Sequence, residues 1–387
     1  MKGVWRPGDR AASRYHYVPI EVPRGGFEVT LEYDRGSAVL DLGLFTAGGE
    51  FRGYSGGARG KFTITPEWAT PGYLPGELDD ATVFLGLHRV PPNGLEWSIS
   101  VGPPGAPEPS MLVPVTTRPP RRTDLPDVDG MRWLAGDLHA HTVHSDGTLT
   151  IDALAALAVS EGLDFLAVTD HNTISHHPHL TAAGRRHGIT LLPGQEVTTD
   201  RGHANAFGDL GWIDFRRPAA EWATEGGLLS INHPLAADCA WLHRLDTRPP
   251  LAEIWHSAWW DRTWGAPLAW LLAWAPGTIP IGGSDFHDPS QGTRLGHPTT
   301  WVLAASPASP DILDAMAAGR TAVSESPGGP LLLRIGPEIH AIGADGLLLA
   351  DFTGRRRLVH GDHWTTTVVD GPHWLEDDRA QVMALTA

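Results

Sequence analysis

The stretch Gly136-Asp137-Leu138-His139-Ala140-His141-Thr142-Val143-His144-Ser145-Asp146-Gly147 follows the short apolar run Trp133-Leu134. Residues two apart on an extended chain point to one face, so His139 and His141 can reach a single ion. Four more clusters repeat the theme: Val168-Thr169-Asp170-His171-Asn172, then Pro193-Gly194-Gln195-Glu196 with Gly202-His203-Ala204-Asn205, then Ile231-Asn232-His233-Pro234, then Gly282-Gly283-Ser284-Asp285-Phe286-His287. Asp285 and His287 can share a face as His139 and His141 do. Imidazole and carboxylate are the donors that zinc, manganese and iron prefer. The clusters therefore predict a polynuclear site of divalent ions that activates water.

Each cluster ends an apolar run. Phe165-Leu166-Ala167-Val168 precedes the second, Thr190-Leu191-Leu192 the third, Leu228-Leu229-Ser230-Ile231 the fourth and Thr278-Ile279-Pro280-Ile281 the fifth. Such runs fit strands buried on both faces of a parallel sheet. Helix-like stretches lie between them. Ile151 to Glu161 opens at Thr150 as N-cap and closes at Gly162, and Leu180 to His187 precedes Gly188. Strand, ligand and helix in repetition predict an α/β barrel with its site at the carboxyl ends of the strands.

The strings Asp137-Leu138-His139-Ala140-His141-Thr142, Ser145-Asp146-Gly147, Thr169-Asp170-His171-Asn172, Gly194-Gln195-Glu196, Asn232-His233-Pro234 and Gly283-Ser284-Asp285-Phe286-His287 resemble the PHP (polymerase and histidinol phosphatase) superfamily, over roughly residues 132 to 325. The resemblance implies a distorted (β/α)7 barrel holding two or three divalent ions (Mn, Zn or Fe), with phosphoester cleavage as the commonest activity. Arg52-Gly53-Tyr54-Ser55-Gly56-Gly57-Ala58-Arg59, Ala69-Thr70-Pro71-Gly72-Tyr73-Leu74-Pro75-Gly76 and Gly202-His203-Ala204-Asn205-Ala206-Phe207-Gly208 resemble the carbaryl-hydrolase-like branch (CehA/McbA). In that branch an N-terminal β-domain precedes the barrel, and carbamates or carboxylic esters are cleaved. By resemblance, His139, His141, Glu196 and Asp285 hold one ion. Glu196 bridges to a second, completed by His233 and by His203 or Asn205. Asp146, His171 and His287 hold a third.

The expected reaction is hydrolysis by metal-activated water, with a phosphoester as first substrate class and a carbamate or carboxylic ester as the alternative. A non-catalytic binding or scaffold protein is the alternative from another class. The resemblance implies that Glu196 is the central catalytic carboxylate. Asp170, His144, His256 and a metal-bound water are candidate general acids, although Asp170 can equally be a helix cap or an acceptor that orients a ring nitrogen. Arg294, in Gln291-Gly292-Thr293-Arg294-Leu295-Gly296, can bind an anionic substrate group or be a surface charge.

The formal net charge of -16 argues against a nucleic-acid backbone as main partner. A small-molecule ester is expected instead, with homo-oligomerisation left open. The single cysteine, Cys239, allows no intramolecular disulfide or Cys-based zinc finger. The opening Met1-Lys2-Gly3-Val4-Trp5-Arg6 lacks an apolar signal segment, and no run of about 18 apolar residues is present to span a membrane. A cytoplasmic enzyme is the expectation.

At 387 residues, two or three domains are expected. Residues 1–115 read as an N-terminal β-sandwich, with strands at 27–33, 39–45, 82–87 and 97–101 between Gly and Pro turns. Residues 116–131 are a linker within a Pro-rich stretch running from Gly102 to Gly130. The barrel occupies 132–330. A small C-terminal β segment, 331–387, packs on the N-terminal domain or adds a small sheet. Trp255, Trp259, Trp260, Trp264, Trp270 and Trp274 stand between the last two clusters. Trp255, Trp259 and Trp260, then Trp270 and Trp274, are spaced for one helical face, read first as core or dimer surface and second as an aromatic wall over the metals.

Overall fold

The computed structural model describes residues 1–107, 112–225, 227–274 and 277–387; residues 108–111 of the Pro-rich stretch lie outside them. By contact the chain divides into two units. The first comprises Met1–Leu112 with Val143–Gly147 and Asp170–Pro178, and the second comprises the rest.

The first unit has two four-stranded antiparallel sheets. One runs Lys2–Trp5, Leu95–Gly102, Phe27–Tyr33, Lys61–Ile64, the other Tyr15–Glu21, Asp80–Arg89, Val39–Thr46, Phe51–Gly56. Alternation decides which side chains turn inward. Phe27, Val29 and Leu31 of one sheet share a core with Leu40, Leu42, Leu44, Val83 and Leu85 of the other. Burying a side chain of this kind stabilises by roughly 1.5–3 kcal/mol relative to leaving it exposed.

The second unit is built on a thirteen-stranded sheet. Arg132–Asp137, Phe165–Val168 and Thr190–Thr199 are parallel neighbours, and Leu228–Ile231, Leu251–His256 and Ile279–Gly283 form a second parallel run. Between them Gly202–Phe207 is antiparallel to both neighbours, a departure from the all-parallel expectation. The cause is loop length: only Asp200 and Arg201 separate it from Thr190–Thr199, too few for the crossover a parallel strand needs. Thr299–Ala304 runs antiparallel to Arg132–Asp137. The Thr300 hydroxyl donates to Gly282 O and accepts from Gly282 N, which joins Thr299–Ala304 to Ile279–Gly283. Thr150 caps the helix Ile151–Ser160 by accepting from Ala153 N at 3.2 Å. A second helix covers His177–His187, and Gly188 follows at φ 69°.

The C-terminal residues add a three-stranded sheet, Leu331–Ile335, Glu338–Ile342 and His363–Thr367. Val382–Thr386 also extends the large sheet by pairing with Thr321–Ser324. The tryptophans do not share one helical face. Trp255 lies on the strand Leu251–His256, Trp259 in the turn after it, and only Trp270 and Trp274 stack along the helix Ala266–Trp274. The strand arises because Leu251–His256 is buried throughout, so period-two pairing overrides the helical spacing. No helix among the described residues is long and apolar enough to cross a membrane.

Candidate metal centre

A buried cluster forms in the second unit, just past two strand ends. Asp137 closes the strand Arg132–Asp137 and is fully buried. Its Oδ1 accepts from His139 N at 3.1 Å and Ser284 N at 3.0 Å, and its Oδ2 from Gly296 N at 2.7 Å. Burial raises its pKa, opposed by these donors. Asp137 thus ties the chain after one strand to the chain after Ile279–Gly283. Next, Ala140 makes an isolated parallel bridge to Phe286, and His141 N donates to Phe286 O at 2.9 Å.

That bridge decides the geometry. His139 and His141 flank Ala140, while Asp285 and His287 flank Phe286, so the four side chains come together. His139 Nε2 lies 3.1 Å and His141 Nε2 3.0 Å from Asp285 Oδ1. The His287 ring stacks on His141 with centroids 4.1 Å apart. Asp285 and His287 are not on a regular strand, as the alternation suggested. The strand ends at Gly283, and Asp285 has φ 53°. Three of the five non-glycine residues with positive φ among the described residues belong to the quoted clusters: Asn172, His233 and Asp285. Such strain persists where the surroundings over-determine the backbone.

Glu196 is the hub. It is fully buried on the strand Thr190–Thr199. Its Oε1 lies 3.2 Å from His139 Nε2, 3.1 Å from His203 Nδ1 and 3.3 Å from His233 Nε2, and it accepts from Asn232 Nδ2 at 2.9 Å. Its Oε2 lies 3.5 Å from His141 Nε2. The hairpin sets this up by register: Asn205 stands opposite Glu196, and His203 stands two residues away on the same face. Asn205 Nδ2 donates to Leu138 O at 3.1 Å, while the His203 ring meets the carboxylate.

Glu253 was not singled out from the sequence. It sits, 1 % exposed, in the apolar run Leu251–His256. Its Oε1 is 3.0 Å from His139 Nδ1, and its Oε2 accepts from His233 N at 2.8 Å. This fixes the His139 ring with Nδ1–H on Glu253, so that Nε2 faces Glu196 and Asp285. The available signal was a lone acid inside a strand buried on both faces, which must find a partner. A Cβ on Gly283 would lie 2.4 Å from Glu253 Oε1 and 2.5 Å from His139 Cβ, so only glycine fits there. His256 Nδ1 accepts from Ala258 N at 3.0 Å, which leaves Nε2–H to meet Asp285 Oδ2 at 3.1 Å.

The electrostatics call for a cation. Glu196 and Glu253 are buried, and Asp285 joins them around His139. Burial alone would depress the His139 pKa, yet Asp285, Glu196 and Glu253 lift it well above the usual imidazole range. Burial would raise Asp285, but His139, His141 and His256 hold it well below the usual carboxylate range. His139 Nε2 stands close to two carboxylate oxygens yet, among the described residues, has no hydrogen-bond partner. Donors about 2.1 Å from one shared ion would stand roughly 3.0–3.4 Å from each other. The separations of 3.0 to 3.5 Å among His139, His141, Glu196 and Asp285 match that arrangement. The residues therefore fit a divalent metal. His139, His141 and Glu196 form one candidate donor set, and His139, His233 and Glu253 another.

In the first unit, Asp146 Oδ1 and His171 Nε2 stand 3.6 Å apart, with side chains 43 % and 19 % exposed. Asp170 is fully buried; its Oδ1 accepts from Ser145 Oγ at 2.7 Å, and its Oδ2 lies 3.3 Å from His176 Nδ1. His144 Nδ1 meets Ser175 Oγ at 2.8 Å. Arg294 is not gathered with the candidate ligands: its side chain is 63 % exposed and pairs with Glu161 at 2.9 Å. Trp255 and Trp259 belong to an apolar core with Ile254, Leu268 and Val323, whereas Trp260 is exposed.

Residues 137–240 match the family model of the PHP domain. Two curated relatives align over short stretches of the chain. The 5'-3' exoribonuclease of Haemophilus influenzae is 38% identical over 64 residues, 16% of this chain and 23% of that protein. The 5'-3' exoribonuclease Rnm of Salmonella typhimurium is 42% identical over 65 residues, 16% and 22%. The chain thus spans less than a quarter of the length of these relatives. Among solved structures, a two-domain protein of Bacteroides vulgatus containing a predicted PHP-like metal-dependent phosphoesterase aligns at TM-score 0.42 and 19% identity, over 72% of this chain and 91% of that one. An amidohydrolase of Chromobacterium violaceum aligns at TM-score 0.32 and 19% identity, over 42% and 90%.

Proposed function

We propose that this chain is a metal-dependent hydrolase of phosphoesters, with Glu196 shared between two divalent ions. The observation that carries the reading is the Glu196 carboxylate, buried and approached by His139, His141, His203 and His233 at 3.1 to 3.5 Å. One ion would be held by His139, His141 and Asp285 with Glu196, and the other by His233 and His203 with Glu196. Asp146 and His171 offer donors for a further ion. The N and O donors suit Mn, Zn or Fe. When bound, the ions supply an activated water and neutralise charge that develops on the substrate. The protein's own part is orientation. Glu253 holds His139, Asn232 holds Glu196, and His256 holds Asp285.

The PHP match and the exoribonuclease relatives favour phosphoester over carboxylic ester chemistry. The net charge of -16 favours a small phosphoester over a polynucleotide. The large sheet of the second unit is read as a distorted barrel of the PHP kind. The test is elemental analysis of protein purified without chelator, followed by turnover of 4-nitrophenyl phosphate against 4-nitrophenyl acetate. Two or more equivalents of metal and faster phosphate turnover are expected. Less than one equivalent, or acetate as the only substrate cleaved, would overturn the reading.

A further inference from the structure

We propose that Arg59 of the N-terminal sheets is a positioning residue for the metal donors Asp146 and His171, so that the β-domain is a working part of the hydrolase. The inference rests on the reading of Asp146 and His171 as donors. The segments Val143–Gly147 and Asp170–Pro178 belong by contact to the first unit. Neither forms a strand, although His171 makes an isolated bridge, and only the last two residues of the second begin a helix. Something else must therefore order them.

Arg59 orders the first. Its guanidinium donates through Nη1 to Ser145 O at 2.9 Å and through Nη2 to Val143 O. The fork thus grips two carbonyls next to Asp146, a geometry the single ammonium of lysine reproduces only in part. The turn at Gly72 orders the second segment. Gly72 N donates to Ser175 Oγ at 3.0 Å, and Thr173 Oγ1 donates to Gly72 O at 2.9 Å. Gly72 has φ 100°, and a Cβ there would lie 2.7 Å from Tyr54 O and 2.9 Å from His144 O. Only glycine lets the turn come so close. The two segments are also bound to each other, because Ser145 Oγ donates to Asp170 Oδ1 at 2.7 Å. Asp146 and His171 each directly follow one member of that pair, so the restraint acts one residue from each donor. This assigns work to Arg52–Arg59 and Ala69–Gly76, which the chemistry of the buried cluster leaves unexplained.

The test compares Arg59→Met and Arg59→Lys in the full chain. The readouts are metal equivalents after dialysis, hydrogen exchange of residues 143–147 and 170–178, and thermal unfolding. Arg59→Met is expected to stay folded, to exchange faster in 143–147, and to lose about one equivalent of metal. Arg59→Lys is expected to fall between it and the wild type. Combining Arg59→Met with Asp146→Asn should remove no more metal than either alone. Full metal content with unchanged exchange in Arg59→Met would overturn the proposal. Should Arg59→Met fail to fold, Arg59→Lys is judged by the same readouts on 143–147, and unchanged exchange and metal there overturn the proposal. Wild-type protein that binds no metal would sink the functional reading, whereas exchange alone would still decide whether Arg59 orders the segment.

Discussion

Glu196 and Asp146 are both carboxylates beside imidazoles, but their surroundings are opposite. Glu196 is fully buried on a strand, with its neighbours fixed by sheet register and by the Ala140–Phe286 bridge. Asp146 is 43 % exposed on a segment without regular structure, held through the backbone of Val143 and Ser145. Donors set by a sheet are pre-organised at no further entropic cost, whereas donors on loops need outside restraint. The comparison therefore predicts tightly held ions at Glu196 and a weaker one at Asp146.

The largest effect should come from Glu196→Gln. The amide keeps the shape but removes the charge that faces four imidazoles. Loss of both buried equivalents and a fall in kcat/KM of about a thousand-fold or more are expected, read by elemental analysis and steady-state kinetics. A variant that keeps its metal would break the contrast at its strong end. Glu253→Gln should act less, because Glu253 orients His139 and His233. A drop of roughly 10–100-fold in metal affinity, measured by competition with a chelating dye, is expected from the loss of such support. The smallest effect belongs to Asp146→Asn: about one equivalent lost, with the Glu196 pair intact. Loss of all metal in that variant would show that the two regions are one cooperative site.

Much of this was readable because clustered imidazoles and carboxylates and strand ends leave local marks. Asp137 through His141 announces both the end of a strand and an alternating pair of imidazoles, and Thr150 and Gly162 bracket a helix whose cap is formed as read. The antiparallel strand Gly202–Phe207 was hidden, because its direction depends on a two-residue turn rather than on its own apolar pattern. Glu253 was hidden for the opposite reason. An acid in an apolar run carries no motif, and its partners His139 and His233 are distant in sequence. The helical reading of Trp255 to Trp260 failed because burial on both faces masks the period of a strand. Arg59 was visible within a motif, but its acceptors are backbone carbonyls, which no side-chain pattern can disclose.

The most direct measurement is an anomalous difference map from crystals of the full chain, recorded at the absorption edge of whichever metal elemental analysis finds. Two peaks are expected to share the Glu196 carboxylate, one on the side of His139, His141 and Asp285 and the other on the side of His233 and His203. Metal-bearing crystals with no peak within bonding distance of Glu196 would contradict the assignment of this carboxylate as the centre of the site.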